Sequence, residues 1–125
     1  MFKYTSTDKA PAAIGPYSQA IFANGTLYAS GQIPIDPATG NIEGKTIAEQ
    51  AEQSCKNVGE ILKASGLGFE DVVKTTCFLA DIKDFAEFNA VYAKYFTSKP
   101  ARSCVAVKDI PKGALCEIEI IAAGK

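Results

Sequence analysis

The sequence feature that most constrains the fold is one well-marked amphipathic helix near the middle of the chain. Thr46 begins the pattern, and Glu49 three residues later completes a capping box, which satisfies backbone amides at a helix start. Gly66 and Gly68 predict where the helix ends. The apolar stripe recurs at spacings of three and four residues and consists of Ala48, Ala51, Cys55, Val58 and Leu62. Because such a stripe must be buried, the flanking segments have to supply a surface that covers it.

The segments on both sides of this helix have strand patterns. The predicted strands cover residues 17–23, 26–33, 71–80, 101–107 and 115–122. Asn24-Gly25 lies between the first two and favours a tight hairpin turn, and residues 36–40 are predicted to form a second turn. Residues 1–16 are predicted to be extended, because Pro11 and Gly15-Pro16 prevent a helix.

A second helix is predicted over about residues 84–96, with Asp84 as its cap. Its apolar stripe consists of Phe85, Phe88, Tyr92 and Tyr95. Alternation within the strand before it places Val73, Thr75, Cys77 and Leu79 on one face. The order β-β-α-β-α-β-β predicts a single α+β domain over residues 1–125, with both helices on one face of a mixed sheet. If the other face is apolar it needs a partner, so we expect self-association.

The absence of histidine limits the chemistry that this chain can perform. Without His among the 125 residues, a Ser-His-Asp triad, a Cys-His pair and a His-ligated metal are excluded. The four cysteines, at positions 55, 77, 104 and 116, form no Cys-x-x-Cys motif, which argues against a zinc or iron–sulfur site. We therefore expect buried, reduced thiols and a cytoplasmic location.

The charge distribution argues against two classes of partner. The net charge of −1 disfavours a general nucleic-acid binder, since such binding depends on excess Lys and Arg. Residues 10–35 carry no charge, but Pro11, Pro16, Pro34 and an Asn-Gly turn divide them into short pieces, so no membrane span is expected. Asp8 and Pro11 likewise interrupt any signal-peptide pattern at the start.

Charged residues in the last two predicted strands are the main candidates for chemistry. Glu117 and Glu119 lie on one strand face, where they form either a general acid–base pair or a solvated edge. Arg102 shares a face with Cys104, and in an antiparallel hairpin one register places Cys104 opposite Glu117. That register brings Arg102 close to the carboxylates. The guanidinium then either binds a small carboxylate ligand or forms a structural salt bridge with Glu119.

Several other residues allow both a functional and a structural interpretation. Tyr17 and Ser30 supply hydroxyls, and Gly31 within a strand marks either the close approach of a ligand or a simple bulge. Cys104 as a nucleophile would need Arg102 or a helix end to lower its pKa, so a small core residue is the simpler interpretation. The aromatic residues of the second helix are more typical of core than of a base-stacking platform.

Six motifs together give the chain a specific resemblance. They are APAAIGPYSQ at 10–19, SGQIP at 30–34, KTT at 74–76, FNAVY at 88–92, PARSCV at 100–105 and EIE at 117–119. In this order and spacing they resemble the RidA/YjgF family of reactive-intermediate (enamine/imine) deaminases over nearly the whole chain. Only residues 97–99 separate Phe96 from Pro100, where many relatives have a longer loop with an aromatic residue before the proline.

The resemblance implies a fold, an assembly and a reaction. The fold is a chorismate-mutase-like α+β domain, and the assembly is a homotrimer with three clefts between subunits. The reaction is the hydrolysis of 2-imino acids and their enamine tautomers, such as 2-aminoacrylate and 2-iminobutyrate, to 2-keto acids and ammonia. These imines come from pyridoxal-phosphate-dependent serine and threonine dehydratases. The reaction uses no metal or cofactor.

The resemblance also implies roles for individual residues. Arg102 binds the substrate carboxylate, and Glu117 orients and deprotonates the attacking water. The remaining pocket positions map to Tyr17, Ser30, Gly31, Asn89 and Cys104. Two alternatives remain open, namely a non-catalytic trimer that binds a keto or amino acid, and an endoribonuclease-type translation inhibitor.

Overall fold

A computed structural model describes residues 2–124 and contains the predicted element order with three additional short strands. The main sheet consists of β1 (Lys3–Thr5), β2 (Ala20–Ala23), β3 (Thr26–Ala29), β6 (Val72–Leu79), β7 (Ala101–Ala106) and β8 (Cys116–Ala123), and a separate hairpin consists of β4 (Ile35–Asp36) and β5 (Asn41–Ile42). The helices are α1 (Ile47–Ala64) and α2 (Phe85–Tyr95). The α+β prediction is therefore confirmed. The strand β1 and the β4–β5 hairpin were not predicted.

The six strands of the main sheet lie in the order β1-β2-β3-β8-β6-β7. All neighbours are antiparallel except β6 and β7, which are parallel, so the sheet is mixed as predicted. The predicted hairpin between 101–107 and 115–122 is wrong, because β6 lies between β7 and β8. The helix α2 connects β6 to β7, and a helical crossover of this kind produces a parallel pair. The strand β7 therefore lies at a sheet edge.

The first helix forms as its sequence predicts. The Thr46 hydroxyl accepts a hydrogen bond from the Glu49 backbone N–H (3.2 Å), and the Glu49 carboxylate accepts one from the Thr46 N–H (3.1 Å). At the other end, Gly66 adopts a φ of 77°, a left-handed conformation in which a side chain would be strained. The stripe residues Ala51, Cys55, Val58 and Leu62 are buried in the core.

The second helix departs from its prediction at its start. A 3-10 turn (Ile82–Asp84) precedes it, and Asp84 has a φ of −83° and a ψ of 1° instead of the extended backbone of an N-cap. The Asp84 side chain consequently makes no capping hydrogen bond, whereas Asp81 caps the 3-10 turn by accepting from the Lys83 N–H. Phe88 and Tyr92 are buried as predicted, but Phe85 is exposed.

The strand β6 changes face at its beginning. A bulge between Val72 and Lys74 makes Val72 buried and leaves Val73 exposed, opposite to the prediction for Val73. From Thr75 onward the prediction holds, with Thr75, Cys77 and Leu79 buried.

The two faces of the sheet differ in what covers them. Both helices pack on one face, where Cys116, Ile118 and Ile120 of β8 join the main core. The opposite face, called here the open face, carries the alternate residues of β8 and leaves Tyr28 and Val105 exposed. Among residues 2–124, no helix is long and apolar enough to cross a membrane.

Candidate functional site

The predicted site residues fall into two groups at different places on the molecule. Tyr17, Ser30, Gly31 and Glu117 line one cavity of about 540 Å³ on the open face, which we call the carboxylate cavity. A second cavity of about 400 Å³ lies beside β7 and α2, and we call it the arginine cavity. Its lining includes Asn89, Tyr92, Phe96, Pro100 and Arg102.

The backbone after β3 places Gly31 directly against Glu117. Gln32 donates its N–H to the Ile118 carbonyl (2.7 Å), and the Ile118 N–H returns a bond to the Gln32 carbonyl (3.1 Å). This bridge continues the contact of β3 with β8 and holds Gly31 where a Cβ atom would lie 2.8 Å from the carboxyl carbon of Glu117. The absence of a side chain at Gly31 is therefore what gives the Glu117 carboxylate its position.

The environment of Glu117 favours its protonated form. Burial raises the pKa of its carboxyl group, and the neighbouring Glu119 carboxylate raises that pKa further. The Glu117 side chain accepts no hydrogen bond from any of the described residues, and the Gly31 N–H has no partner among them either. A half-buried carboxyl with a raised pKa beside a free N–H is suited to proton transfer with a small ligand.

Two hydroxyl groups complete the polar part of this cavity. The Ser30 hydroxyl donates to the Ser18 carbonyl (2.7 Å), which leaves its oxygen free to accept. The Tyr17 hydroxyl accepts from the Ile14 N–H (3.2 Å) and keeps its own proton for donation. Tyr17 is about half exposed and forms part of the cavity wall.

Arg102, the only arginine in the chain, is held by neutral groups. Its Nη1 donates to the Asn89 amide oxygen (2.8 Å). Its guanidinium carbon lies 4.7 Å from the centre of the Tyr92 ring and 5.5 Å from that of Phe85. No Asp or Glu among residues 2–124 forms an ion pair with Arg102, so the alternative of a salt bridge with Glu119 is wrong within one chain.

Cys104 lies two residues after Arg102 on β7 and directly beside Cys77 of β6. Burial raises the pKa of its thiol, and the nearby Arg102 charge only partly opposes this effect. The thiol therefore stays protonated near neutral pH, which disfavours a nucleophilic role. Cys55, Cys77 and Cys116 are buried free thiols as predicted, and burial raises the pKa of Cys77 and of Cys116 to about 12.

The structure separates the two charged residues that the predicted hairpin brought together. Arg102 pairs with Thr75 and contacts α2, so it lies on the helix-covered face. Glu117 pairs with Phe78 and lies on the open face, two strands away from β7. The prediction that they adjoin within one hairpin is wrong. One chain thus carries two cavities on opposite faces of its sheet, one lined by Arg102 and the other by Glu117.

Some residues that shape the two cavities were not predicted. Tyr28 and Pro111 line the carboxylate cavity, and Tyr92 and Phe85 contact Arg102. The sequence held one usable signal, since Phe85, Asn89 and Tyr92 share a helix face at spacings of four and three residues. No local pattern marks Tyr28 or Pro111, because their positions depend on the sheet order.

Comparison with known proteins identifies the family of the chain. The family model described as Endoribonuclease L-PSP matches residues 7–124. A human protein named 2-iminobutanoate/2-iminopropanoate deaminase is 53% identical over 118 residues, which cover 94% of this chain and 86% of the relative.

Solved structures give the same result for the fold. YyfA of Yersinia pestis, described as belonging to the conserved Rid protein family, has 48% identity and a TM-score of 0.95, with 98% of this chain and 99% of that chain covered. E. coli TdcF with bound serine has 42% identity and a TM-score of 0.94 over 98% and 99% of the two chains. The chain therefore belongs to the Rid/YjgF family, which the matching model describes as Endoribonuclease L-PSP.

Proposed function

We propose that this protein hydrolyses 2-imino acids and their enamine tautomers to 2-keto acids and ammonia. The substrates are small products of pyridoxal-phosphate-dependent dehydratases, such as 2-aminoacrylate and 2-iminobutyrate. One observation carries the proposal, namely that the single arginine of the chain keeps its charge free of any acidic partner among the described residues while neutral side chains hold it in place. The name of the human relative supports the same reaction.

The chemistry needs only positioning and proton transfer. A protonated imine is already an electrophile, so the oxygen of a water molecule adds to the imine carbon once a base accepts its proton. The amino nitrogen of the resulting carbinolamine then receives that proton, and the carbon–nitrogen bond breaks with its electron pair leaving on nitrogen as ammonia. The hydroxyl group loses its own proton to solvent as the keto group forms. We assign the first two transfers, from water and to nitrogen, to Glu117, whose raised pKa suits a group that first accepts and then returns a proton.

The substrate carboxylate is assigned to Arg102 and the Gly31 N–H. The planar guanidinium offers a two-point contact to a carboxylate, and Gly31 brings an unpaired N–H to the surface of the carboxylate cavity. Tyr17 and Ser30 line the same cavity, with hydroxyl groups that can orient the substrate. Asn89 acts through Arg102, and Cys104 contributes shape beside it.

These assignments require two copies of the chain at each site. Arg102 and Glu117 lie on opposite faces of one sheet, so a single chain does not surround one small substrate with both groups. We propose a homotrimer in which the arginine cavity of one subunit faces the carboxylate cavity of the next, giving three clefts. The exposed apolar residues Tyr28 and Val105 on the open face support burial of that face between subunits.

The segment before Arg102 bears on substrate size. Residues 97–99 line or adjoin the arginine cavity, and Lys99 adopts a left-handed φ of 55° that turns the chain sharply into β7. We propose that this short loop sets how far the cleft closes over the substrate. The four free thiols support a reducing compartment, and we place the reaction in the cytoplasm.

The ribonuclease activity in the family description has little support in this site. Glu117 and Glu119 line the same cavity, and two adjacent carboxylates repel a phosphate backbone. The net charge of −1 also gives no general attraction for RNA. A non-catalytic metabolite sensor would use the same cleft. It would bind the small acid without accelerating ammonia release, so a measurement of turnover distinguishes it from an enzyme.

The deciding experiment couples the purified protein to a threonine dehydratase supplied with threonine. We expect ammonia release above the spontaneous rate with the wild type, and only the spontaneous rate with Arg102→Ala. The matched control is Lys83→Ala, which also removes one positive charge but at a largely exposed position that lines neither cavity. Binding of 2-oxobutanoate without faster ammonia release would establish a sensor instead, and full activity of Arg102→Ala would refute the assigned anchor.

A further inference from the structure

The face of α2 that meets Arg102 forms a cage of neutral side chains. Phe85, Asn89 and Tyr92 follow one another at spacings of four and three residues, so they lie along the same side of the helix. Asn89 contributes a hydrogen bond and Tyr92 the nearer aromatic ring, at 4.7 Å from the guanidinium carbon. An arginine over an aromatic face at this distance has a favourable cation–π contact.

The Tyr92 ring is itself fixed from two directions. Its hydroxyl lies 2.7 Å from the hydroxyl of Thr75, which is completely buried on β6. Its ring stacks on the buried Phe96, with centroids 4.3 Å apart and an interplanar angle of 19°. A ring held at its polar tip and against another ring has little freedom to rotate. It therefore offers the guanidinium a surface of fixed orientation.

The partners of Arg102 orient it without neutralising it. A guanidinium has five N–H donors, and one of them bonds to the uncharged Asn89 side chain. An arginine that only stabilises a fold is commonly paired with a carboxylate, and no such pair involves Arg102 among residues 2–124. The remaining donors stay available to an anion at the arginine cavity, whose lining is mainly apolar and so strengthens a charged contact.

We infer that Tyr92 is a positioning residue, which holds the plane of the Arg102 guanidinium in the orientation that binds the substrate carboxylate. The inference rests on the proposed function for its substrate, and Thr75 acts one step further back by holding the Tyr92 hydroxyl. Because Tyr92 acts on binding and not on proton transfer, its loss affects KM and leaves kcat nearly unchanged.

The test compares Tyr92→Leu, which removes the ring, with the matched control Tyr92→Phe, which keeps it. In the dehydratase-coupled assay we expect Tyr92→Leu to raise KM about tenfold with kcat within about twofold of wild type. Tyr92→Phe is expected to keep KM within about threefold, since only the bond to Thr75 is lost. Equal losses in kcat for both variants, or a wild-type KM for Tyr92→Leu, would overturn the inference.

A spectroscopic measurement separates this inference from the proposed reaction. Because Arg102 is the only arginine, its side-chain Nε–H gives a single NMR resonance that can be followed directly. We expect titration with 2-oxobutanoate to shift this resonance in the wild type and in Tyr92→Phe, and about tenfold more ligand to be needed in Tyr92→Leu. If the wild type shifts but shows no turnover, the reaction fails while the positioning role stands.

A double variant excludes a merely structural effect. In an Arg102→Ala background, Tyr92→Leu should leave the remaining affinity for 2-oxobutanoate unchanged, because the group that it positions is gone. A further loss of affinity in that background would show that Tyr92 acts by another route and would overturn the inference. Should Tyr92→Leu fail to fold, Tyr92→Met replaces it as the variant without a ring, under the same criteria.

Discussion

The carboxylate cavity and the arginine cavity position their charged groups by different means. Around Glu117 the backbone determines the position of the charged group. The bridge between Gln32 and Ile118 places Gly31 beside the Glu117 carboxylate, which occupies the space that a side chain at Gly31 would fill. Around Arg102 the side chains of α2 determine the position of the guanidinium, through the Asn89 amide and aromatic rings. In both places a charge lacks an opposite partner within the described chain. Each cavity therefore presents a charged group without an opposite charge beside it, and this shared feature is the basis of our proposal that two subunits combine them around a small anionic ligand.

The largest expected effect comes from neutralising the carboxylate half. Glu117→Gln keeps the shape of the side chain but removes its ability to accept and return a proton. We expect kcat to fall by about 10²-fold or more while KM changes little, since general acid–base catalysis contributes effects of this size. Steady-state kinetics in the coupled assay measure both constants. Activity equal to wild type would remove Glu117 from the mechanism.

The same variant should be at least as stable as the wild type at neutral pH. The folded chain raises the pKa of Glu117 above its unfolded value, so the stability that Glu117 contributes is present at low pH and is lost as the pH rises through the folded pKa. A glutamine does not ionise and avoids that loss. Thermal unfolding of both proteins across pH should show a difference that grows with pH in favour of Glu117→Gln. A difference of the opposite sign would contradict the assigned environment.

A smaller effect is expected from adding one methyl group under the carboxylate. Gly31→Ala places a Cβ where the Glu117 carboxyl now lies, so the carboxylate must shift. Because a displacement of about an ångström at a reacting group is costly, we expect kcat to fall about tenfold or more with the fold intact. The matched control is Gly40→Ala, at a turn where the added Cβ has no atom within 4 Å apart from those of Gly40 and its two chain neighbours. Its left-handed φ of 77° makes a stability cost expected there without a loss of kcat.

The smallest effect concerns the pH dependence of the reaction. The Glu119 carboxylate is one of the two causes that raise the pKa of Glu117, after burial. Since the ionised form of Glu117 accepts the proton from water, activity falls on the acidic side as Glu117 becomes protonated. Glu119→Gln removes one cause, so the acidic limb of kcat should move to lower pH. A shift to higher pH, or no shift, would show that Glu119 does not act on Glu117.

The elements of this fold were predictable because they arise from local patterns. The capping box at Thr46 and Glu49 and the turn at Asn24-Gly25 involve neighbours in sequence, and both are present. The β1 strand escaped prediction because three residues are too few to show an alternation. The order of strands was predicted wrongly at β7, because pairing between distant segments is not encoded in either segment alone.

The same distinction explains what was predictable of the site. The sequence identified Arg102, Glu117 and Gly31 as candidate site residues. The structure places Gly31 directly beside Glu117. The predicted proximity of Arg102 to Glu117 within one chain was wrong, because it followed from the incorrect hairpin between the last two strands. The contact of Tyr92 with Arg102 was not predicted, because an aromatic stripe on a helix is typical of core packing. Tyr92 is indeed buried, but its ring also contacts the guanidinium.

The central claim is that each site combines Arg102 of one subunit with Glu117 of another. It is tested most directly by co-expressing Arg102→Ala with Glu117→Gln, each of which is expected to lose nearly all activity alone, and measuring imine hydrolysis by the purified mixed oligomers. In randomly mixed trimers about one quarter of the clefts contain both native residues, so the account predicts recovery of about a quarter of wild-type activity. Activity no higher than that of the separate variants would place both residues within one chain's site and contradict the account.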